Sequence, residues 1–285
     1  QEGIQRLREA LEADADFSGQ FTITDNGKDL TQVTTQIAGE PSSDQALGAL
    51  ERLREEHIPA AFEEHGVEAE VLVTGFTAFS KDFFVIADRF TPFVFAFVLT
   101  LSFILLMVVF RSIIIPAKAI IMNLLSVGAA YGLLVLVFQK GVGADLLGFQ
   151  QTDKIEAWLP LFLFSILFGL SMDYHVFLLS RIRERYDQTH DNTEAVAYGL
   201  RSTAGLITGA ALIMVAVFSG FAAGRLAGNQ QVGFGLAVAI FLDATIVRSI
   251  LVPASMRILG DLNWYLPSIL GWLPDLRVEV AEPAE

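Results

Sequence analysis

Apolar residues follow two different patterns along this chain. Before residue 89 they recur at helical spacing or alternate with polar residues over short stretches. After it they form five long runs, at about 90–110, 119–138, 157–180, 203–223 and 232–254. A helix of about 20 apolar residues crosses a bilayer. We therefore predict a soluble domain at 1–88, an α-helical polytopic membrane domain of five spans at 89–256, and a terminal segment at 257–285.

The first region has the pattern of a small α+β domain. Helical spacing predicts a helix over Glu2–Ala13 and a second over 46–56, capped by the serine pair at 42 and 43. Alternation predicts strands at 21–24, 33–37 and 69–74, with a turn at Asp25, Asn26 and Gly27. His57 and His65 are predicted to lie on a helix surface. No pattern here predicts hydrolysis or metal binding.

Charge is distributed as unevenly as hydropathy. The net charge is −13, and residues 1–88 hold 18 acidic against 6 basic side chains, so nearly all of it lies there. We interpret this as a solvated acidic face. A basic nucleic-acid footprint is lacking. The sequence has no cysteine, which excludes disulfides and thiol catalysis.

The third apolar run carries an ionisable residue, Asp173. From Trp158, at about 1.5 Å per residue, it lies roughly 22 Å along the helix, past the midplane. A charge there costs roughly 2.5–3.5 kcal/mol on insertion scales, so the default interpretation is functional. Tyr174 follows on an adjacent sector, and His175 could titrate but points elsewhere.

The fifth run carries Asp243 and Arg248. They are five residues apart, about 140° around an α-helix, which predicts a poor pair within the helix. By helical rise, Arg248 lies near the depth of Asp173. We expect it either to pair with a carboxylate on another helix, such as Asp173, or to snorkel to the interface.

Other features predict how the helices end and pack. Asp191 and Glu194 resemble a capping box for a short interfacial helix at 193–200. In the fourth run, glycines are spaced for close helix packing at 205, 209, 220 and 224. Trp264, Tyr265 and Trp272 suit an interfacial segment, and the acidic tail from Val278 suits disorder.

Basic residues between the runs predict the orientation. On one side of the membrane lie Arg111, Lys118, Arg181, Arg183, Arg185 and Arg201. On the other side lie Lys140, Lys154 and Arg225, together with the domain at 1–88. The positive-inside rule makes the first side cytoplasmic. We expect a multi-pass protein of the plasma (inner) membrane, with an extracytoplasmic N-terminal domain and a cytoplasmic C-terminus.

Two segments carry a resemblance to a known family. GLSMDYHVFLLSRIRE, at 169–184, is similar to the Asp-Tyr segment of the MMPL (mycobacterial membrane protein large) transporters of the resistance-nodulation-division superfamily. A second segment, at 234–267, resembles the last membrane span of that family and the residues that follow the span. Its sequence is FGLAVAIFLDATIVRSILVPASMRILGDLNWYLP. VTGFTAFSKDF, at 73–83, lies where the family joins its porter domain to the membrane, so the resemblance implies a partial porter-like α+β domain at 1–88. The resemblance covers nearly the whole chain.

The resemblance implies the C-terminal half of a proton-motive-force-driven exporter of lipids or other amphiphilic molecules. Such a protein is a secondary active transporter, not an enzyme, and uses the proton gradient with no cofactor. Its partners would be the bilayer, a lipid substrate and the missing N-terminal half, and no nucleic acid. In the family, Asp-Tyr pairs from the two halves face each other and carry protons. That implies a relay role for Asp173 and Tyr174. Asp243, Arg248, Ser171 and His175 are candidate supporting residues.

Other classes stay open at this point. A Sec-type translocation accessory or a sterol-sensing-domain protein also has an Asp-bearing fourth span. The Tyr after Asp173 and the segment FLDATIVR favour the MMPL family over both. A non-transporting membrane scaffold would be favoured if Asp173 proved dispensable.

Overall fold

The computed structural model describes residues 2–17, 21–25, 27, 30–63, 70–156 and 158–273. Predictions that concern Asn26, His65, Ala69, Ala157 and the tail from Val278 lie outside these residues. The chain divides into two compact units, Gln1–Arg89 and Phe90–Glu285.

Two helices form the centre of the first unit. α1 spans Glu2–Ala13 and α2 spans Asp44–Arg52, followed by π-helical turns at Leu53–His57 and Pro59–Glu63. The Ser43 hydroxyl accepts a hydrogen bond from the Ala46 N–H, as the predicted cap requires. Leu7, Leu11 and Leu50 are buried in one apolar cluster, so both helices face a common core.

A short hairpin connects these helices. β1, Thr22–Asp25, pairs antiparallel with β2, Thr31–Thr34. Gly27 donates its N–H to the Asp25 carboxylate, which fits the predicted turn. The second strand ends before Ile37, which was predicted to belong to it and instead forms an isolated bridge with Phe17.

The predicted third strand is wrong for its described part, 70–74, which has no strand pairing. Val71 and Val73 do pack toward the core while Leu72 is exposed, so the alternation is correct. No neighbouring strand lies beside this segment in the described chain, and alternation alone does not make a sheet. The expected porter-like domain is therefore not shown, because the described residues form only a two-stranded sheet.

An ion cluster joins the helices of this unit. Arg52 binds Asp14 through Nε at 3.0 Å and Asp16 through Nη2 at 2.5 Å. The His57 imidazole lies 3.2 Å from Asp14, so it faces this cluster as well as solvent. The Arg52 guanidinium holds the pKa of the Asp14 carboxyl well below its usual range.

Within the described residues, five helices are long and apolar enough to cross a membrane, as predicted. α3 spans Phe76–Phe110; α4 spans Ile114–Leu134 and continues as a π-turn, Val135–Gln139; α6 spans Leu159–Thr189; and α7 spans Asn192–Ala222. The last begins as α8, Ala227–Leu242, becomes a π-helix over Asp243–Leu251, and ends as α9, Val252–Leu259. A short 3-10 helix, Gly260–Trp264, follows.

The short interfacial helix predicted at 193–200 is wrong, because it is the first part of α7. The predicted cap is present: the Asp191 carboxylate accepts from the N–H groups of Thr193 and Glu194. Glu194 does not complete a capping box with Asp191. Its carboxylate binds Arg185 on the preceding helix.

Close helix packing uses other glycines than those predicted. A Cβ at Gly205, Gly209 or Gly220 would meet no atom within 4 Å. A Cβ at Gly233 would lie 2.3 Å from the Ala222 nitrogen, so α7 and α8 approach each other there backbone to backbone. The prediction from spacing was therefore wrong within this chain.

The loop at 140–158, which contains the one-turn helix α5 (Ala144–Leu147), is held against α8 by two buried glutamines. Gln230 accepts from the Gln150 N–H, and Gln231 accepts from the Glu156 N–H. These bonds hold the loop at the end of the bundle where α6 begins.

Candidate functional site

Helix α6 presents the Asp-Tyr segment to two different surroundings. Ser171 and His175 are buried, Tyr174 is half-buried and Asp173 is exposed. Successive α-helical residues are about 100° apart, so Asp173 and Tyr174 face neighbouring sectors. Of these two side chains, Tyr174 is turned partly into the interior and Asp173 is not. The site therefore has a buried part and an adjacent exposed carboxylate.

The buried part is centred on an ion pair between Asp243 and Arg248. Arg248 Nη2 lies 2.5 Å from Asp243 Oδ2, and their side chains are 4% and 10% exposed, respectively. The prediction that Asp243 and Arg248 would pair poorly is wrong, because it assumed that this segment is an α-helix. The segment is π-helical, as shown by the Val252 N–H donating to the Val247 carbonyl, five residues earlier. Bonding from i to i+5 places residue i+5 one turn above residue i, which brings the two charges together.

Ser171 connects this pair to α6. Its hydroxyl donates to Asp243 Oδ2 at 3.1 Å, and Arg248 Nη2 donates to the Ser171 carbonyl at 2.9 Å. Asp243 Oδ1 and Arg248 Nε are buried with no partner among the described residues. A cavity of about 20 Å³ adjoins the pair and is also lined by Asn123 and Ser126. Its size is about what one water molecule needs.

Tyr174 connects the pair to the surface that carries Asp173. The Arg248 guanidinium lies 4.7 Å from the centroid of the Tyr174 ring, a cation–π contact. The Tyr174 hydroxyl lies 3.9 Å from the sulfur of Met214 on α7. A thioether is a weak acceptor, so this contact constrains the hydroxyl only slightly.

Asp173 does not join the buried pair. Among the described residues it has no hydrogen-bond or ion-pair partner, and the predicted pairing with Arg248 is not formed. Gly169 and Ser180, on the same face of α6, are also exposed, and a Cβ at Gly169 would meet no atom within 4 Å. The carboxylate therefore lies on a face of a membrane-spanning helix that the described part of this chain leaves uncovered.

His175 lies on the side of α6 opposite Asp173, and its side chain is 3% exposed. His175 is the one predicted supporting residue that does not touch the ion pair by a hydrogen bond in the described structure.

Sequence reasoning missed a second buried polar cluster, centred on Asn263. Lys118 was counted as a loop residue. It lies in α4, is 8% exposed and donates to Asn263 Oδ1 at 3.0 Å. The Ser112 hydroxyl donates to the Asn263 carbonyl, and Asn263 donates to the Met256 carbonyl. A lysine inside the apolar run IIPAKAII was the available signal.

The site is built from ionisable and hydrogen-bonding groups. It combines two carboxylates, a phenol, a guanidinium and a hydroxyl within membrane-spanning helices. Within the described part of the chain, no three His, Asp or Glu side chains converge to hold a metal ion. The arrangement defines a multi-pass membrane protein with ionisable groups in its spans.

The chain belongs to the MMPL family, whose model matches residues 3–276. It is 40% identical over 97% of its length to the mycolic acid-containing lipids exporter MmpL11 of Mycolicibacterium smegmatis. It is 48% identical over 70% of its length to the heme uptake protein MmpL11 of Mycobacterium tuberculosis, and 35% identical over 71% to the trehalose monomycolate exporter MmpL3 of Mycolicibacterium smegmatis. It covers 28%, 20% and 20% of these relatives, respectively, so it corresponds to about a quarter of their length.

Proposed function

We propose that this chain is part of a proton-driven exporter of lipids or other amphiphiles, in which Asp173 and Tyr174 belong to the intramembrane proton relay. The supporting residues would be the buried ones beside them: Ser171, His175, Asp243 and Arg248. One observation carries the proposal. An exposed carboxylate on a membrane-spanning helix adjoins a tyrosine whose ring contacts a buried ion pair. The names of the exporter relatives support the substrate class.

The exposed position of Asp173 favours a partner surface. A carboxylate facing lipid costs roughly 2.5–3.5 kcal/mol on insertion scales, so selection would not keep one uncovered without a use. The open space beside Gly169 lets another helix approach closely. We infer that this face meets the other half of the longer transporter, whose own ionisable groups would complete the relay.

Tyr174 is suited to couple the two parts of the site. Its hydroxyl is bound only to a weak acceptor, so it can turn toward a carboxylate at little cost. Its ring faces Arg248, which Asp243 and Ser171 hold in place. A change of charge at Asp173 would therefore act on Arg248 through the tyrosine between them.

The relay is tested by Asp173→Asn in the longer transporter that contains this chain. Asn is nearly isosteric and easier to insert, so the protein should reach the membrane folded but export no lipid. Tyr174→Phe should impair export while keeping the ring beneath Arg248. The control is Asp145→Asn, which removes the same charge from an exposed loop position. Wild-type export by Asp173→Asn would contradict the relay and favour a scaffold.

We also propose that residues 1–88 lie outside the inner membrane and the C-terminus inside, as the positive-inside rule predicts. The chain has no cysteine, so single cysteines report cleanly. A cysteine at Gln45 should react with an impermeant maleimide in intact cells, and one at Gln188 should react only after permeabilisation. The reverse pattern would contradict this topology.

A further inference from the structure

A second cavity lies in the membrane-spanning unit, away from the ion pair. It is formed where the end of α4 meets the start of α6 and has a volume of about 210 Å³. Leu134, Val135, Ile155 and Leu163 are among the side chains that line it. For comparison, an engineered apolar cavity of about 150 Å³ is large enough to bind benzene.

The wall of this cavity offers nothing to a polar ligand. Its one polar side chain, Tyr131, donates its hydroxyl to the Pro160 carbonyl, so that group is already used. A water molecule needs two to four polar partners, and apolar side chains in this wall supply none. A void also forfeits the dispersion contacts of the atoms that line it. The favourable occupant is therefore hydrocarbon.

The position of the cavity indicates where the hydrocarbon comes from. It opens between two membrane-spanning helices, and Val135 in its wall is 36% exposed. Leu136 and Phe162, on the same helices beside it, are exposed apolar side chains, as contact with lipid requires. The cavity therefore opens onto exposed apolar surface of two membrane-spanning helices, at the end of the bundle that carries the loop at 140–158.

We propose that this cavity is a binding site for one acyl chain of a bilayer phospholipid. The chain inserts between α4 and α6, restores the contacts that the void lacks, and leaves its headgroup beside the loop at 140–158. The site needs only that these helices lie in a bilayer. It does not depend on Asp173 or on export.

The test fills the cavity in the chain reconstituted in nanodiscs of phosphatidylglycerol and phosphatidylethanolamine. Val135→Trp and, independently, Ile155→Trp place an indole in the space. Leu136→Trp is the matched control, since it adds the same ring at the neighbouring exposed position, outside the wall. The probe is a phospholipid with a photoreactive diazirine in the acyl chain, with cross-links mapped by peptide mass spectrometry. A second probe carries the diazirine in the headgroup.

The acyl-chain probe should label the peptides of the cavity wall in the wild type and in Leu136→Trp. Either filling variant should reduce that labelling by about tenfold, the effect of losing on the order of ten carbon–carbon contacts. The headgroup probe should not label the wall. Equal labelling in all variants would overturn the proposal. So would wall labelling no stronger than that of Leu212 and Ile213, which are exposed on α7.

Discussion

The buried ion pair gives the sharpest test of how the last helix is built. Asp243→Asn keeps the shape of the side chain but leaves the Arg248 guanidinium buried without a charged partner. Removing one member of a buried pair costs about 3–5 kcal/mol, because the remaining charge is desolvated and uncompensated. We expect Asp243→Asn to lower the free energy of unfolding by that amount. Replacing both residues, as Asp243→Leu with Arg248→Met, should cost far less.

Ser171→Ala gives an intermediate case. It removes the hydroxyl that donates to Asp243 at 3.1 Å, but Arg248 keeps its 2.9 Å bond to the Ser171 carbonyl. The hydroxyl also accepts from Arg248 Nη2 at 3.2 Å, so its hydrogen bonds to both members of the pair are removed. The expected loss is about 1.5–3 kcal/mol. Asp153→Asn is the control. It neutralises an exposed carboxylate and should change stability by no more than about 0.5 kcal/mol.

The measurement is the free energy of unfolding in mixed micelles, from titration with a denaturing detergent, for each variant. The coupling energy between Asp243 and Arg248 then follows from a double-mutant cycle. A loss below about 1 kcal/mol for Asp243→Asn would refute the reasoning. So would a double variant as unstable as the worse single one, because the cost would then not come from an unpaired charge.

Three further predictions concern other parts of the chain. Gly233→Ala should prevent proper packing of α7 on α8 and lower the melting temperature, because its Cβ would meet backbone. Gly128→Ala, where no atom lies within 4 Å, should leave the melting temperature unchanged or raise it. Asn263→Ala should expose residues 260–273 to faster hydrogen exchange, since it removes the partner of a buried ammonium. The pKa of Asp14 is lowered by Arg52, so its contribution to stability is present above about pH 4 and is lost as pH falls through the folded pKa. The protection of α1 against hydrogen exchange, corrected for the intrinsic exchange rate, should therefore fall in acid, and Asp14→Asn should reduce that change.

Local properties of the chain were predictable from its residues. Five helices long enough to cross a membrane follow from the length of the apolar runs, because transfer into lipid is summed over consecutive residues. The caps at Ser43 and Asp191 were also predictable, since each hydroxyl or carboxylate binds an N–H only two or three residues away. The ionisable residues Asp173, Asp243 and Arg248 could be named from the sequence, because ionisable side chains in apolar runs are rare.

How those residues combine was decided by tertiary structure. Asp243 and Arg248 pair because the helix changes to i→i+5 bonding between them, and neither hydropathy nor spacing reports that change. Lys118 is buried because Asn263, 145 residues later, covers it. Val71 and Val73 alternate as a strand would, but the described chain places no strand beside them.

The same distinction applies to the helix faces. A sequence shows that Asp173 and Gly169 share a face of α6, as it shows the spacing of Gly205 and Gly209. Which of these faces meets another helix depends on the surface opposite, and that surface comes from distant residues. Gly233 lies against α7, whereas Gly169 has no close neighbour. Periodicity therefore determined the sides of each helix, and only packing determined which side became the inside.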